Sequence, residues 1–152
     1  MAITSANLLS DVVLFIRDRL REGIKDPLSE KRPSDEEFVM TSYPRRAVTY
    51  PIITVKGKIV GDTKLGQMST QALVKLIVEV RIWSRNEKEK NDLTGEVYNH
   101  LRTQQLPTTT ENTSTNVTLY DFGINFANDL DDPGEEGVKS KICEYRYIFI
   151  TS

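Results

Sequence analysis

The stretch ALVKLIVEVRIWS, residues 72–84, decides the fold. Val74, Leu76, Val78, Val80 and Ile82 recur at every second position, with Lys75, Glu79, Arg81 and Trp83 between them. Side chains alternate across a strand, so this spacing predicts a long strand with one face against a core. The other face keeps Ile77 and Trp83 beside Lys75, Glu79 and Arg81, a mixed surface suited to meeting a neighbouring molecule.

Downstream of this strand, Ser84 and Glu87 have the S-x-x-E spacing of a capping box. It predicts a helix through RNEKEKNDLTGEVYNHLRTQQ with Leu93, Val97 and Leu101 as its apolar stripe. Gly95 weakens that helix by about 1 kcal/mol relative to alanine, and Pro107 ends it. A polar loop, 107–116, follows. Two more strands are expected: 117–127 alternates through Tyr120, Phe122, Ile124 and Phe126, and 139–151 carries Ile142, Cys143, Tyr145, Tyr147, Ile148, Phe149 and Ile150. The link NDLDDPGEEG holds Pro133, Gly134 and Gly137, which predicts an antiparallel hairpin with an acidic tip.

Upstream, Ile52, Ile53 and Val55 lead through KGK to Ile59 and Val60, with Gly57 suited to a bulge or tight turn. DPLSEKRPSDEE reads as a polar surface loop. Its SDEE matches a capping box, but the β-like FVMTSYP that follows argues against a helix there. Near the N-terminus, Leu9, Val13, Ile16, Leu20 and Ile24 recur at steps of three and four, widened by Leu8, Val12 and Phe15. Arg17, Asp18, Arg21 and Glu22 fall on the other side, so the segment predicts an amphipathic helix, stopped near Gly23 and Pro27. These elements define an α+β fold in the order α-β-β-β-α-β-β. Its expected form is a mainly antiparallel sheet of four to five strands with both helices packed on one face, in a single domain, 1–152.

A chain of 152 residues buries roughly 70% of its unfolded surface, enough for a core. With 22 acidic against 20 basic residues it lacks the basic surface that nonspecific nucleic-acid binding uses to release counterions. No basic region precedes the first apolar residues, and ALVKLIVEVRIW is too short and too charged to cross a bilayer, so neither targeting nor a membrane partner is expected. The sequons at Asn112 and Asn116 then have no secretory setting.

The inventory for catalysis is thin. His100 is the sole histidine and lies beside a helical apolar stripe, with nothing identifiable to orient its ring. Cys143, the sole cysteine, has the alternating surroundings of a core thiol and no adjacent base. Asp129, Asp131, Asp132, Glu135 and Glu136 supply oxygens for a hard cation but lack the spacing of an EF-hand loop. VGDTKLGQMST fails as a phosphate loop because Lys64 precedes Gly66 and a strand follows where a helix is required. With no zinc spacing, nucleophile elbow or dinucleotide fingerprint, the expectation is a protein with no catalytic residues, no metal and no cofactor, working by binding or assembly.

The stretch SYPRRAVTYPIITVKGKIVGD, residues 42–62, holds the residues best suited to contact. Pro44 and Pro51 fix their own φ and push Tyr43 and Tyr50 toward extended backbone, which stiffens both ends of the loop. Arg45 and Arg46 between them suit carboxylate or phosphate recognition, while the tyrosines add rigid contact area. Tyr43, Arg45, Arg46, Tyr50 and Trp83 are the expected interface residues.

The helix, the loop running through YPRRAVTYPIITVKGKIVGD, the strand LVKLIVEVRIWS, the middle helix and the C-terminal strand pair together resemble the tail terminator and tail completion proteins of tailed bacteriophages and related viruses. The likeness covers nearly the whole chain in order and size. It implies a virion structural protein of the tail or neck, assembled in the host cytoplasm as a homo-oligomeric ring, commonly a hexamer. Such a ring sits on the last ring of tail-tube protein, stops tube growth and joins the tail to the head-connector protein. Genome DNA passes through it without specific binding. Contacts between its identical subunits are heterologous and closed by rotation. Two alternatives stand beside it: a head-tail connector or stopper protein, and a small α+β module binding peptide or nucleic acid through the Arg45-Arg46 loop.

Overall fold

The computed structural model describes residues 7–45, 48–67, 71–103, 119–131 and 138–150. Helix α1, Leu8–Gly23, buries Leu8, Val12, Phe15, Ile16 and Leu20 along one stripe. It stops where the Ile24 N–H bonds Leu20 O at 2.9 Å and the backbone turns extended. Gly23 has a packing reason as well, because a Cβ there would lie 2.0 Å from Cε1 of His100. The imidazole therefore serves as the contact surface between α1 and α2.

A short 3-10 turn, Asp35–Glu37, leads into β1, Val39–Met40. The SDEE segment thus makes one tight turn and no α-helix. β2, Ile52–Lys64, and β3, Ala72–Ser84, form a long antiparallel pair. Helix α2, Glu87–Thr103, is followed by β4, Leu119–Asp131, and β5, Lys139–Ile150. The five strands lie in the order β1-β2-β3-β5-β4, with β1 parallel to β2 and every other pairing antiparallel. The architecture is α+β, with both helices on one face of a mainly antiparallel sheet.

The inward row of β3, Val74, Leu76, Val78, Val80 and Ile82, joins one core cluster with the α1 stripe and with Leu93, Val97 and Leu101 of α2. Opposite it in register stand Ile53 and Val55 of β2 and Cys143, Tyr145 and Tyr147 of β5. Each fully buried aliphatic or aromatic side chain of this set contributes roughly 1.5–3 kcal/mol of transfer free energy, which is why the alternation of β3 fixes the sheet's orientation.

Two local expectations are corrected. Gly57 makes neither a bulge nor a turn: β2 runs straight through it, and the register irregularity falls between Ile59 and Gly61. A Cβ at Gly57 would meet Val13 Cγ2 at 2.7 Å and Leu9 Cδ1 at 3.1 Å, so the glycine lets α1 approach the sheet. Gly57→Val should therefore destabilise the protein by about 1–3 kcal/mol through overpacking, read as a lower denaturant midpoint with an unchanged slope.

The cap of α2 is also shifted by two residues. Asn86 Oδ1 accepts from the Glu89 N–H at 2.9 Å, and Glu89 Oε1 accepts from the Arg85 N–H at 3.1 Å. Ser84 instead donates to the carbonyls of Asn86 and Lys139, tying the end of β3 to the start of β5. An asparagine satisfies the same orphan donors as a serine, so the box moved to the position where the backbone turns.

Candidate contact surface on the open sheet face

The sheet face away from the helices carries the outward row of β3: Lys75, Ile77, Glu79, Arg81 and Trp83. Ile77 and Trp83 are nonetheless buried. Trp83 stands in register with Ile52 of β2 and Ser140 of β5. The Arg81 guanidinium lies 3.6 Å from the indole centroid, close enough for a cation–π contact worth about 0.5–2 kcal/mol. The ring of Tyr43 packs on the same indole, with centroids 4.8 Å apart and planes tilted by 56°. Tyr43 and Tyr50 share a hydrogen bond between their hydroxyls, 2.6 Å long. Three of the five residues expected at an interface, Tyr43, Tyr50 and Trp83, are thus brought together.

Tyr43 remains 39% exposed, so the cluster ends in an accessible aromatic surface. Trp83 Nε1–H is buried and finds no acceptor among the described residues. Arg45 is exposed, and Arg46 lies outside the described residues.

An arginine that the sequence reading placed on a surface loop holds this loop from below. Arg32 Nη2 donates to Thr49 O at 2.6 Å and to Pro51 O, on either side of Tyr50. Its guanidinium also stands 3.3 Å from Asp26, and both side chains are almost fully buried. Asp26 in turn accepts from the Leu28 N–H at 2.8 Å, and the Phe38 ring lies 5.4 Å from the guanidinium. Burial pulls the pKa of Arg32 down while Asp26 pushes it back up. An arginine stays protonated under any ordinary condition, so this is an ion pair in the folded protein. The expected surface loop is exposed at Pro27, Ser29, Glu30, Lys31 and Pro33, but Asp26 and Arg32 turn inward as a buried ion pair that fixes the backbone presenting Tyr50. The Tyr50-Pro51 peptide bond is cis.

The remaining candidates are assigned differently. His100 sits against Gly23 between the helices. Cys143 is a buried core thiol, and burial pushes its pKa up, away from nucleophilic reactivity. Asp129 meets the buried Lys90 ammonium at 2.8 Å and Lys141 at 3.7 Å, and the hydrogen bond from Lys90 holds its carboxyl below the usual range. Of the other expected cation ligands, Asp131 ends β4, while Asp132, Glu135 and Glu136 lie outside the described residues. Among the described residues no three His, Cys, Asp or Glu side chains gather around a metal position. Lys64 ends β2, and Leu65 N–H bonds Gln71 O at 3.1 Å, so VGDTKLGQMST runs through the β2 to β3 connection. No helix among the described residues is long and apolar enough to cross a membrane.

Behind the loop lies a hollow of about 210 Å³ lined by Lys31, Arg32, Glu37, Met40, Pro44, Val48 and Thr49. Ligand pockets commonly enclose about 300–1,000 Å³, so this hollow is small for a metabolite. A broader groove of about 470 Å³ runs between α1 and β2, over Leu9, Val13, Leu14, Val55 and Gly57. Chemically the surface is equipped for contact: flat aromatic area, cations beside it and a braced loop. Neither a protein-family model nor a curated protein matches the chain.

Proposed function

We propose that the protein is a virion structural protein that forms a ring at the head-proximal end of a viral tail tube, ends tube growth and joins the tail to the head connector. The observation that supports this most is the braced cluster of Tyr43, Tyr50, Trp83 and Arg81 on a sheet face that bears no helix among the described residues. Aromatic and arginine side chains of this kind are the usual anchors of protein interfaces. The element order α-β-β-β-α-β-β, which carries the resemblance to tail terminators, adds to it. In such a ring the mechanism is differential contact: one rim matches the tube, the other matches the connector, and neither continues the tube lattice. The protein is read as a binding protein and not as an enzyme. Its partners are identical subunits, a tail-tube protein and a head-connector protein, with DNA passing through unread.

Charge reversal tests the loop directly. Arg45→Glu/Arg46→Glu should leave the subunit's unfolding midpoint unchanged, since Arg45 is exposed, while assembly or docking to tube ends falls at least tenfold. Light scattering and tube-capping assays read the two effects separately. A strict monomer with salt-sensitive oligonucleotide binding, lost in Arg45→Ala/Arg46→Ala, would overturn the ring in favour of the small binding module. Genomic neighbours encoding metabolic enzymes, in place of portal, capsid and tail-tube proteins, would count against it equally.

A further inference from the structure

We propose that copies of this chain join head to tail by sheet extension, with β4 of one copy pairing antiparallel to the 56–64 stretch of β2 in the next. The inference rests on the ring reading and names the surface that builds it. β1 covers β2 at Ile53 and Thr54 only, and among the described residues the stretch 56–64 pairs with β3 alone. β4 likewise pairs with β5 alone. Among the described residues the sheet thus ends in two long edges, and an unpaired edge is a template for another strand.

Three observations say that the two edges suit each other. The first is direction. β2 and β5 run one way, and β3 and β4 run the other. A copy added with its helices on the same side therefore presents β4 antiparallel to β2. The second is charge. Residues 56–64 carry Lys56 and Lys64 against Asp62, besides Lys58, which meets Glu144 at 3.7 Å in its own subunit, whereas β4 carries Asp121 and Asp131, besides Asp129, which Lys90 and Lys141 already hold, and no lysine or arginine. Opposite charges on facing strands favour the pairing, and like charges oppose β2 meeting β2 or β4 meeting β4.

The third is apolar surface. Ile124 pairs with the core residue Tyr145, which puts it on the helix side of β4, yet it is 49% exposed. On the helix side of β2 the groove over Leu9, Val13 and Gly57 lies open beside Ile59, itself 52% exposed. Extending the sheet brings Ile124 of one copy toward this groove of the next. An interface of this kind uses two different patches, so it propagates and closes only by rotation, as a ring requires.

Complementation tests it. One variant blocks β2 (Ile59→Glu/Val60→Glu) and the other blocks β4 (Ile124→Glu), all at exposed positions, with circular dichroism and unfolding midpoints confirming that each folds. In light scattering the wild type should assemble, each variant alone should stay at the 17.3 kDa protomer mass, and a 1:1 mixture should form dimers of twice that mass and no more. The mixture can dimerise because each variant keeps the edge that the other lacks. If the wild type assembles and either variant also assembles on its own, or the mixture of the two variants stays monomeric, sheet extension is overturned while the ring stands. If the wild type stays monomeric up to millimolar concentration, both fall.

Discussion

Replacing Arg32 with alanine should lower the stability of the subunit by about 3–5 kcal/mol, the range found when one partner of a buried ion pair is removed. The cost comes chiefly from what stays behind. The Asp26 side chain is 1% exposed, so its carboxylate would remain buried with, among the described residues, the Leu28 N–H as its one hydrogen bond and no cation. The carbonyls of Thr49 and Pro51 would also lose their donor. For a domain of this size that loss corresponds to a fall in Tm of about 6–20 °C. Lysine should not rescue it, because one ammonium cannot reproduce the planar fork that spans a carboxylate and two carbonyls. The paired change Asp26→Leu/Arg32→Met should cost much less than the two single changes added together, which a double-mutant cycle would show. A loss below about 1 kcal/mol for Arg32→Ala would mean that water reaches the pair and that the loop has another support.

That ion pair also shows where the sequence stops being legible. The alternation of residues 72–84 and the three-to-four spacing of Leu9, Val13, Ile16 and Leu20 report burial over many residues at once, so a wrong register would expose the whole set. Sheet, helices and their order follow from such repeated signals. Asp26 and Arg32 sit in a segment with two prolines and several charges, where composition says surface. Their burial depends on two side chains six residues apart meeting each other and a loop 17 to 19 residues further on, and no periodicity encodes that. Gly57 is ambiguous for a related reason. A glycine in a strand marks a bulge or a close approach equally well, and only the position of α1 decides between them. The aromatic part of the contact surface was legible in pieces. Tyr43, Tyr50 and Trp83 each stand out by their chemistry, but that they touch is a consequence of β2 and β3 pairing Ile52 with Trp83. Arg81 stands beside Trp83 on one face of β3 by the period of two, but that its guanidinium folds over the indole at 3.6 Å is a side-chain choice that the alternation does not encode.

Truncating Trp83 to alanine should separate the structural role of that cluster from its proposed role in contact. Trp83 is 8% exposed with no helix above it among the described residues, and there Arg81 on its ring and Tyr43 cover it. Removing a buried Trp costs about 3–5 kcal/mol in a core. The lower end is expected here, because Tyr43 is itself partly exposed and its loop can settle toward the space. Tyr43→Ala should cost less than about 1.5 kcal/mol, the aromatic pair and one exposed hydrogen bond, yet it removes the accessible end of the surface. If the cluster anchors a partner, Tyr43→Ala should weaken assembly or docking at least tenfold at nearly full stability, the mark of an interface hot spot. Trp83→Phe sharpens the distinction. It keeps a ring for Arg81 and removes an indole N–H that is buried with no acceptor among the described residues, so the isolated subunit should lose little. If that N–H is held for a partner's carbonyl, the same variant should assemble less tightly than the wild type. Equal assembly by Tyr43→Ala, Trp83→Phe and the wild type would make the cluster a local brace for residues 43–51 and move the contact surface elsewhere on the sheet.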